Sequence, residues 1–65
     1  MVKVGKKYIY EMDIGSFHRK GECIILDVTK IDDTEDKYKV TLKDTRCNVT
    51  FGIDMDEIEF HPISK

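Results

Sequence analysis

The stretch KYKVTLK, residues 37–43, is typical of a β-strand, because apolar and polar side chains alternate along it without interruption. Tyr38, Val40 and Leu42 are its apolar positions, and a lysine or a threonine occupies every place between and beside them. Side chains alternate between the two faces of a β-strand, whereas a helix repeats every 3.6 residues. The stretch therefore predicts a strand with one buried face and one wet face.

The same alternation of apolar and polar residues recurs on both sides of this stretch and predicts a chain of short strands. We expect five strands, at residues 6–13, 22–31, 37–43, 47–51 and 58–60, the last one ended by Pro62. The connections are predicted as a loop at 14–21, a polar turn at 32–36, a tight turn at 44–46 and one helical turn within 52–57.

Length and composition exclude several classes of protein. The chain has 65 residues and a mass of 7.6 kDa, which allows one small domain covering residues 1–65. It contains no alanine, the best helix former, which disfavours a helical bundle. Eleven basic and 13 acidic residues give a net charge of −2, which disfavours nucleic-acid binding by bulk charge alone. No apolar run approaches the roughly 20 residues of a membrane span, and no signal peptide opens the sequence.

A flat sheet of five short strands would leave two edges open, and curling into a small barrel removes that problem. We therefore expect an all-β, five-stranded meander barrel with one short helical turn before the last strand. The side chains expected to face its interior are Tyr8 or Ile9, Ile24, Leu26, Val28, Tyr38, Val40, Leu42, Val49, Phe51, Ile58 and Phe60.

Four segments carry a resemblance to a known fold family: VGKKY at 4–8, GECII at 21–25, YKVTLKD at 38–44 and DEIEF at 56–60. With them the chain resembles an SH3-like barrel of the Tudor and chromo-barrel kind over nearly its whole length. The resemblance implies an aromatic cage for methylated lysine or arginine, with Tyr10 as its first wall. The other cage positions fall near Glu22, Lys43, Asp44 and Arg46, none of which is aromatic, so this sequence disfavours a methyl-lysine reader.

Catalytic and metal signatures are missing from the sequence. It has no nucleophile elbow, phosphate-binding loop or zinc motif, so we expect no enzymatic activity, no cofactor and no metal. A zinc site built from His18, Cys23, Cys47 and His61 would need histidines 43 positions apart and cysteines 24 positions apart. Two cysteines without a signal peptide predict free thiols and a cytoplasmic protein.

The loop at 14–21 carries the strongest candidate for a binding site. Phe17 lies there beside basic residues, a composition found at the energetic centres of protein interfaces. In a meander this loop shares one end of the sheet with the turn after the third strand. The predicted partner-binding residues are therefore Phe17, His18, Arg19, Lys20, Lys43 and Arg46. Phe17 could instead fold back and plug the end of the barrel.

The opposite end of the predicted sheet is acidic. It receives Asp32, Asp33, Glu35 and Asp36, with Asp54, Asp56 and Glu57 nearby. The function that we expect is a non-enzymatic, protein-binding module that uses the Phe17 loop and the basic end. The alternatives are a small nucleic-acid-binding barrel and a small inhibitory protein that uses the acidic end. The excess of isoleucine and lysine over alanine hints at an AT-rich bacterial or phage genome.

Overall fold

The computed structural model describes residues 2–32, 34 and 36–63, and these form an antiparallel five-stranded sheet. The strands are β1 (Lys7–Ile14), β2 (Phe17–Asp32), β3 (Lys37–Asp44), β4 (Thr50–Asp54) and β5 (Ile58–Pro62). A 3-10 turn, Met55–Glu57, is the one helical element in the described part of the chain and lies within the predicted segment 52–57. The prediction of an all-β fold is confirmed.

The strand order is β4-β3-β2-β1-β5, so the last strand does not pair with the strand that precedes it. The 3-10 turn carries the chain across the end of the sheet, and β5 pairs with β1. Strands β4 and β5 are therefore the two edges, and no ladder joins them within the described residues. The sheet is open in this arrangement, and its closure into a barrel stays a prediction.

The predicted loop at 14–21 is wrong, because β1 and β2 form a tight hairpin there. Ile14 pairs directly with Phe17, which leaves residues 15–16 as a two-residue turn. Gly15 has a φ of 61°, and Ser16 is not among the residues with positive φ, as a type II′ turn requires. A Gly-Ser pair between two strand patterns is a known hairpin signal, so the sequence contained the information. Strand β2 accordingly begins at Phe17 and not at residue 22.

The predicted inward face of β2 is also wrong at its start. Cys23 and Ile25 are fully buried, whereas Leu26 is 43% exposed and Ile24 is half-buried. A register shift between Ile25 and Asp27 inserts an extra residue into β2. Such a bulge reverses which side chains face inward, because the side-chain period of a strand is two. After it Val28, as predicted, packs against the core.

Strand β4 begins three residues later than predicted, at Thr50, and Val49 is exposed rather than inward. Asn48, with a φ of 59°, lies in the turn that delays the strand. The fully or almost fully buried core is Tyr8, Tyr10, Met12, Cys23, Ile25, Val40, Leu42 and Ile58. We call the sheet face that carries these side chains the inner face, and the opposite one the outer face.

Candidate functional site

The predicted binding residues on β2 are divided between the two faces of the sheet. Phe17 and Arg19 pair with Ile14 and Met12, so they lie on the inner face. His18 lies opposite Asp13 on the outer face, and Lys20 follows it on that same face because side chains alternate along a strand. The structure therefore separates residues that a loop would have allowed to converge.

The other two predicted residues, Lys43 and Arg46, do not join Phe17. Lys43 pairs with Ile24 on the outer face, and Arg46 follows β3 in the turn before β4. Arg46 and Lys20 line a shallow recess of about 440 Å³ together with Ile9, Gly21 and Glu22. The basic residues thus form an outer recess that is distinct from the surroundings of Phe17.

Arg19 is held by contacts within the protein. Its Nε donates to the hydroxyl of Tyr10 at 2.8 Å, and its Nη2 donates to Sγ of Cys47 at 3.1 Å. Nη2 also lies 3.6 Å from a carboxylate oxygen of Asp44, and the guanidinium lies 5.9 Å from the centre of the Phe51 ring. These contacts fix the orientation of Arg19, with its guanidinium over the Phe51 ring.

Asp44 is the buried carboxylate at the centre of this network, with a relative exposure of 4%. It accepts hydrogen bonds from the hydroxyl of Tyr10 at 2.6 Å and from the N–H groups of Arg46 and Cys47 at 2.8 and 3.2 Å. The Tyr10 hydroxyl, with the two N–H groups, lowers the pKa of Asp44 to about 2 against the opposing effect of burial. For Tyr10 itself, burial and then the Asp44 contact raise the pKa.

Tyr10 is fully buried, which bears on the aromatic cage that the Tudor resemblance implies. Its ring packs edge-on against Phe51, with the ring centres 5.9 Å apart. A cage wall must offer its face to a ligand cation, and this ring is enclosed by the core. The position expected for the first cage wall therefore belongs to the interior of the fold.

A groove on the inner side of the sheet is the main concave apolar feature near Phe17. Three exposed apolar side chains surround it: Ile14 at 43%, Phe17 at 52% and Ile31 at 51% exposure. The groove has a volume of about 650 Å³. Its remaining lining residues are Met12, Lys39, Phe51, Gly52, Ile53, Asp54 and Glu57. Phe17 consequently neither plugs the core nor stands alone, since it forms one wall of this groove.

The groove runs along the free edge of β4. Four consecutive residues of that strand, 51–54, line it, although their side chains alternate between the two faces. Such a run of neighbours indicates that the edge of the strand itself borders the groove. Sequence reasoning missed this arrangement because Ile31 is distant in the chain, although Ile14 and Phe17 flank a recognisable Gly-Ser turn.

The histidines and cysteines do not assemble the zinc set considered from the sequence. Cys23 is buried on the inner face, and burial is the main reason that its thiol pKa rises to about 11. His18 lies on the outer face between two carboxylates, 3.7 Å from Glu11 and 3.8 Å from Asp13. Both cysteines are free thiols in the structure, and Cys47 is exposed.

The acidic end can be followed only in part, because Asp33 and Glu35 lie outside the described residues. Asp36, Asp54 and Asp56 line a common pocket of about 450 Å³, to which Ile31 also contributes. The acidic residues predicted near the 3-10 turn thus lie next to the Phe17 groove, because Ile31 and Asp54 line both cavities.

None of the helices in the described residues is long and apolar enough to cross a membrane. Comparison of the chain with protein-family models, with curated proteins and with solved structures gave no match.

Proposed function

We propose that this chain is a non-enzymatic protein-interaction module with an SH3-like curled sheet, and that its groove receives an extended segment of a partner protein. The observation that carries the proposal is the set of exposed apolar side chains, Ile14, Phe17 and Ile31, around a groove at the edge of β4. Apolar groups that face water and converge on one concavity typically mark a binding surface.

The free edge of β4 supports an extended conformation for the bound segment. An edge strand presents backbone N–H and C=O groups that another strand can pair with. Peptides added to a sheet edge in this way gain affinity from main-chain hydrogen bonds and specificity from pockets for alternate side chains. The wall formed by Phe17 supplies such a pocket next to residues 51–54.

The charges at the rim favour a protein partner over a nucleic acid. Asp54 and Glu57 line the groove and would repel phosphate groups, with Lys39 the one described cation among its lining residues. A partner segment with an apolar anchor and a neighbouring lysine or arginine fits this pattern best. Lys20 and Arg46 lie in the outer recess, where we propose that they act on the rate of encounter.

Site-specific photo-crosslinking tests the proposal in cells that produce the protein naturally. A photo-reactive residue at position 17 should capture a protein through the groove, and the same residue at position 26 serves as the control. Leu26 is a large apolar residue with an exposure of 43%, similar to that of Phe17, but it does not line the groove. Recovery of nucleic acid from position 17, or equal capture from both positions, would contradict the proposal.

The partner identified in this way then allows a direct measurement of affinity. Phe17→Ala should weaken binding by about 2 kcal/mol or more, as expected for an aromatic hot spot. It should shift the free energy of unfolding by no more than about 0.5 kcal/mol, because Phe17 is half exposed. Leu26→Ala, the matched control, should leave the affinity unchanged. An equal loss of affinity in both variants would place the contact elsewhere, with the acidic surface around Asp56 as the next candidate.

A further inference from the structure

We propose that the outer face of β1 and β5 binds a divalent transition-metal ion, represented by Zn²⁺, between Glu11, Glu59 and His61. This inference is independent of the groove, because none of these three residues lines it. The expectation that the protein holds no metal rested on spacing along the chain, and the sheet brings distant positions together.

The pairing of strands explains how these three side chains meet. Glu59 and His61 are two residues apart on β5, so they project from the same face. Glu11 is the direct partner of Glu59 on β1. His18 pairs with Asp13 and His61 with Ile9, so His18 lies too far along the sheet to join this set. The β1–β5 ladder thus places one imidazole and two carboxylates together on one face.

The distances between the donor atoms are close to those of a bound set. One donor atom from each of Glu11, Glu59 and His61 lies within 4.8 Å of the others, and Nε2 of His61 is 3.7 Å from Glu59 Oε2. Ligands at about 2.0–2.2 Å from a tetrahedral ion are roughly 3.4 Å apart, so small rotations of these three side chains suffice, with water as the fourth ligand.

The local charge also favours a cation. Glu11 and Glu59 face each other directly across the β1–β5 ladder, and like charges in that position destabilise a sheet. Lys20 lies opposite Glu11 on β2, so one cation faces this pair from the other side. The two glutamates share a pocket of about 270 Å³ with further acidic side chains, and no cation is among its described lining residues. That lining comprises Glu11, Asp13, Asp56, Glu57, Ile58 and Glu59. An ion between the two carboxylates would offset their repulsion.

The donor set selects the class of ion. Mg²⁺ and Ca²⁺ prefer oxygen ligands, whereas imidazole suits zinc, copper and nickel. One imidazole with two carboxylates therefore fits Zn²⁺ better than Mg²⁺.

Calorimetric titration with zinc chloride in a non-coordinating buffer tests the site. The titration is done in the Cys47→Ser background, because the exposed thiol of Cys47 could bind zinc separately. We expect one ion per chain and no competition from excess Mg²⁺. Glu59→Gln and His61→Gln should each weaken zinc binding at least roughly tenfold. Replacing residues that only support metal ligands already lowers metal affinity about 10–100-fold. Asp27→Asn, which removes an exposed carboxylate of β2 outside the cluster, is the matched control and should bind normally.

A second measurement shows whether the imidazole of His61 is a ligand. Electron paramagnetic resonance of the Cu²⁺-loaded protein should show coupling to nitrogen, reduced in His61→Gln. Circular dichroism should be unchanged in this variant, because the His61 side chain is 53% exposed. The proposal is overturned if zinc does not bind, if the ligand variants bind as tightly as the control, or if half an ion binds per chain. The last result would indicate an ion shared between two copies.

Discussion

Replacing Asp44 with asparagine should destabilise this domain severely, although the two side chains have nearly the same shape. Asp44 accepts three hydrogen bonds, from the Tyr10 hydroxyl and from the N–H groups of Arg46 and Cys47. Asparagine retains one oxygen for the two N–H groups. It presents an NH₂ group to Tyr10 and Arg19, where only an acceptor is satisfactory. The substitution therefore leaves a buried hydroxyl without its acceptor and a guanidinium without its counter-ion.

The expected loss is about 3 kcal/mol. A hydrogen bond to a charged group contributes about 1.5–3 kcal/mol, and removing one partner of a buried ion pair costs about 3–5 kcal/mol. The loss should lie at the lower end of the ion-pair range, because the Arg19 side chain is 34% exposed and can recover some hydration. A domain of 65 residues has a total stability of roughly 3–10 kcal/mol, so the variant will be close to unfolding.

Urea unfolding at neutral pH, followed by circular dichroism, measures this loss. Asp27→Asn is the matched control, since Asp27 is an exposed carboxylate that accepts a hydrogen bond from the hydroxyl of Thr29. The control should change the free energy of unfolding by no more than about 0.5 kcal/mol. A loss below about 1 kcal/mol in Asp44→Asn would refute the reasoning, because it would show that the network is replaceable by water.

The pH dependence of stability gives an independent check on the same residue. The pKa of Asp44 is about 2 in the folded protein and 3.8 as its ordinary value. Between these values the unfolded chain binds more protons than the folded one, so stability falls as the pH is lowered. This contribution, about 2 kcal/mol, is complete above about pH 4 and is lost as the pH falls towards 2. Wild-type protein should show this acid-induced loss, and Asp44→Asn should show a correspondingly smaller one.

Three further predictions concern other parts of the sheet. Gly21→Ala should destabilise the fold by about 1–3 kcal/mol in urea unfolding, because its new methyl group would lie 2.9 Å from a carboxylate oxygen of Asp44 and 3.2 Å from the Tyr10 ring. Unchanged stability would mean that Asp44 and Tyr10 move aside at no cost. In buffer with a metal chelator, Glu59→Gln should raise the melting temperature, because it removes the like-charge pair with Glu11, which costs about 0.2–1 kcal/mol. A lower melting temperature would show that the pair is not repulsive. A thiol reagent should label only Cys47 in the folded protein and also Cys23 after unfolding, as mass spectrometry can show, since Cys23 is buried and its thiol pKa is raised. Rapid labelling of both would contradict the described core.

Local patterns in the sequence predict the strands well where neighbours along the chain decide the structure. The alternation at 37–43 corresponds to β3, with Val40 and Leu42 buried as expected, and the helical turn lies within the predicted segment. Period-two patterning is a property of successive residues, so no tertiary information was needed. The Gly-Ser turn that joins β1 to β2 is an equally local signal, so the hairpin in place of the predicted loop at 14–21 could also be derived from the sequence.

Which faces and edges of the sheet meet depends on contacts between strands that are distant in the chain. The bulge after Ile25 reverses the inward face of β2. Ile25 interrupts the alternation at that point, but the interruption fits a strand buried on both faces as well as a bent one. The pairing of β5 with β1 brings Glu59 and His61 beside Glu11, although 48 positions separate the two glutamates. The hydrophobic pattern fixes which residues can be buried, whereas register and strand order depend on packing against distant strands. For that reason the all-β class and most strands follow from local patterns, whereas both proposed sites arise from the pairing of distant strands.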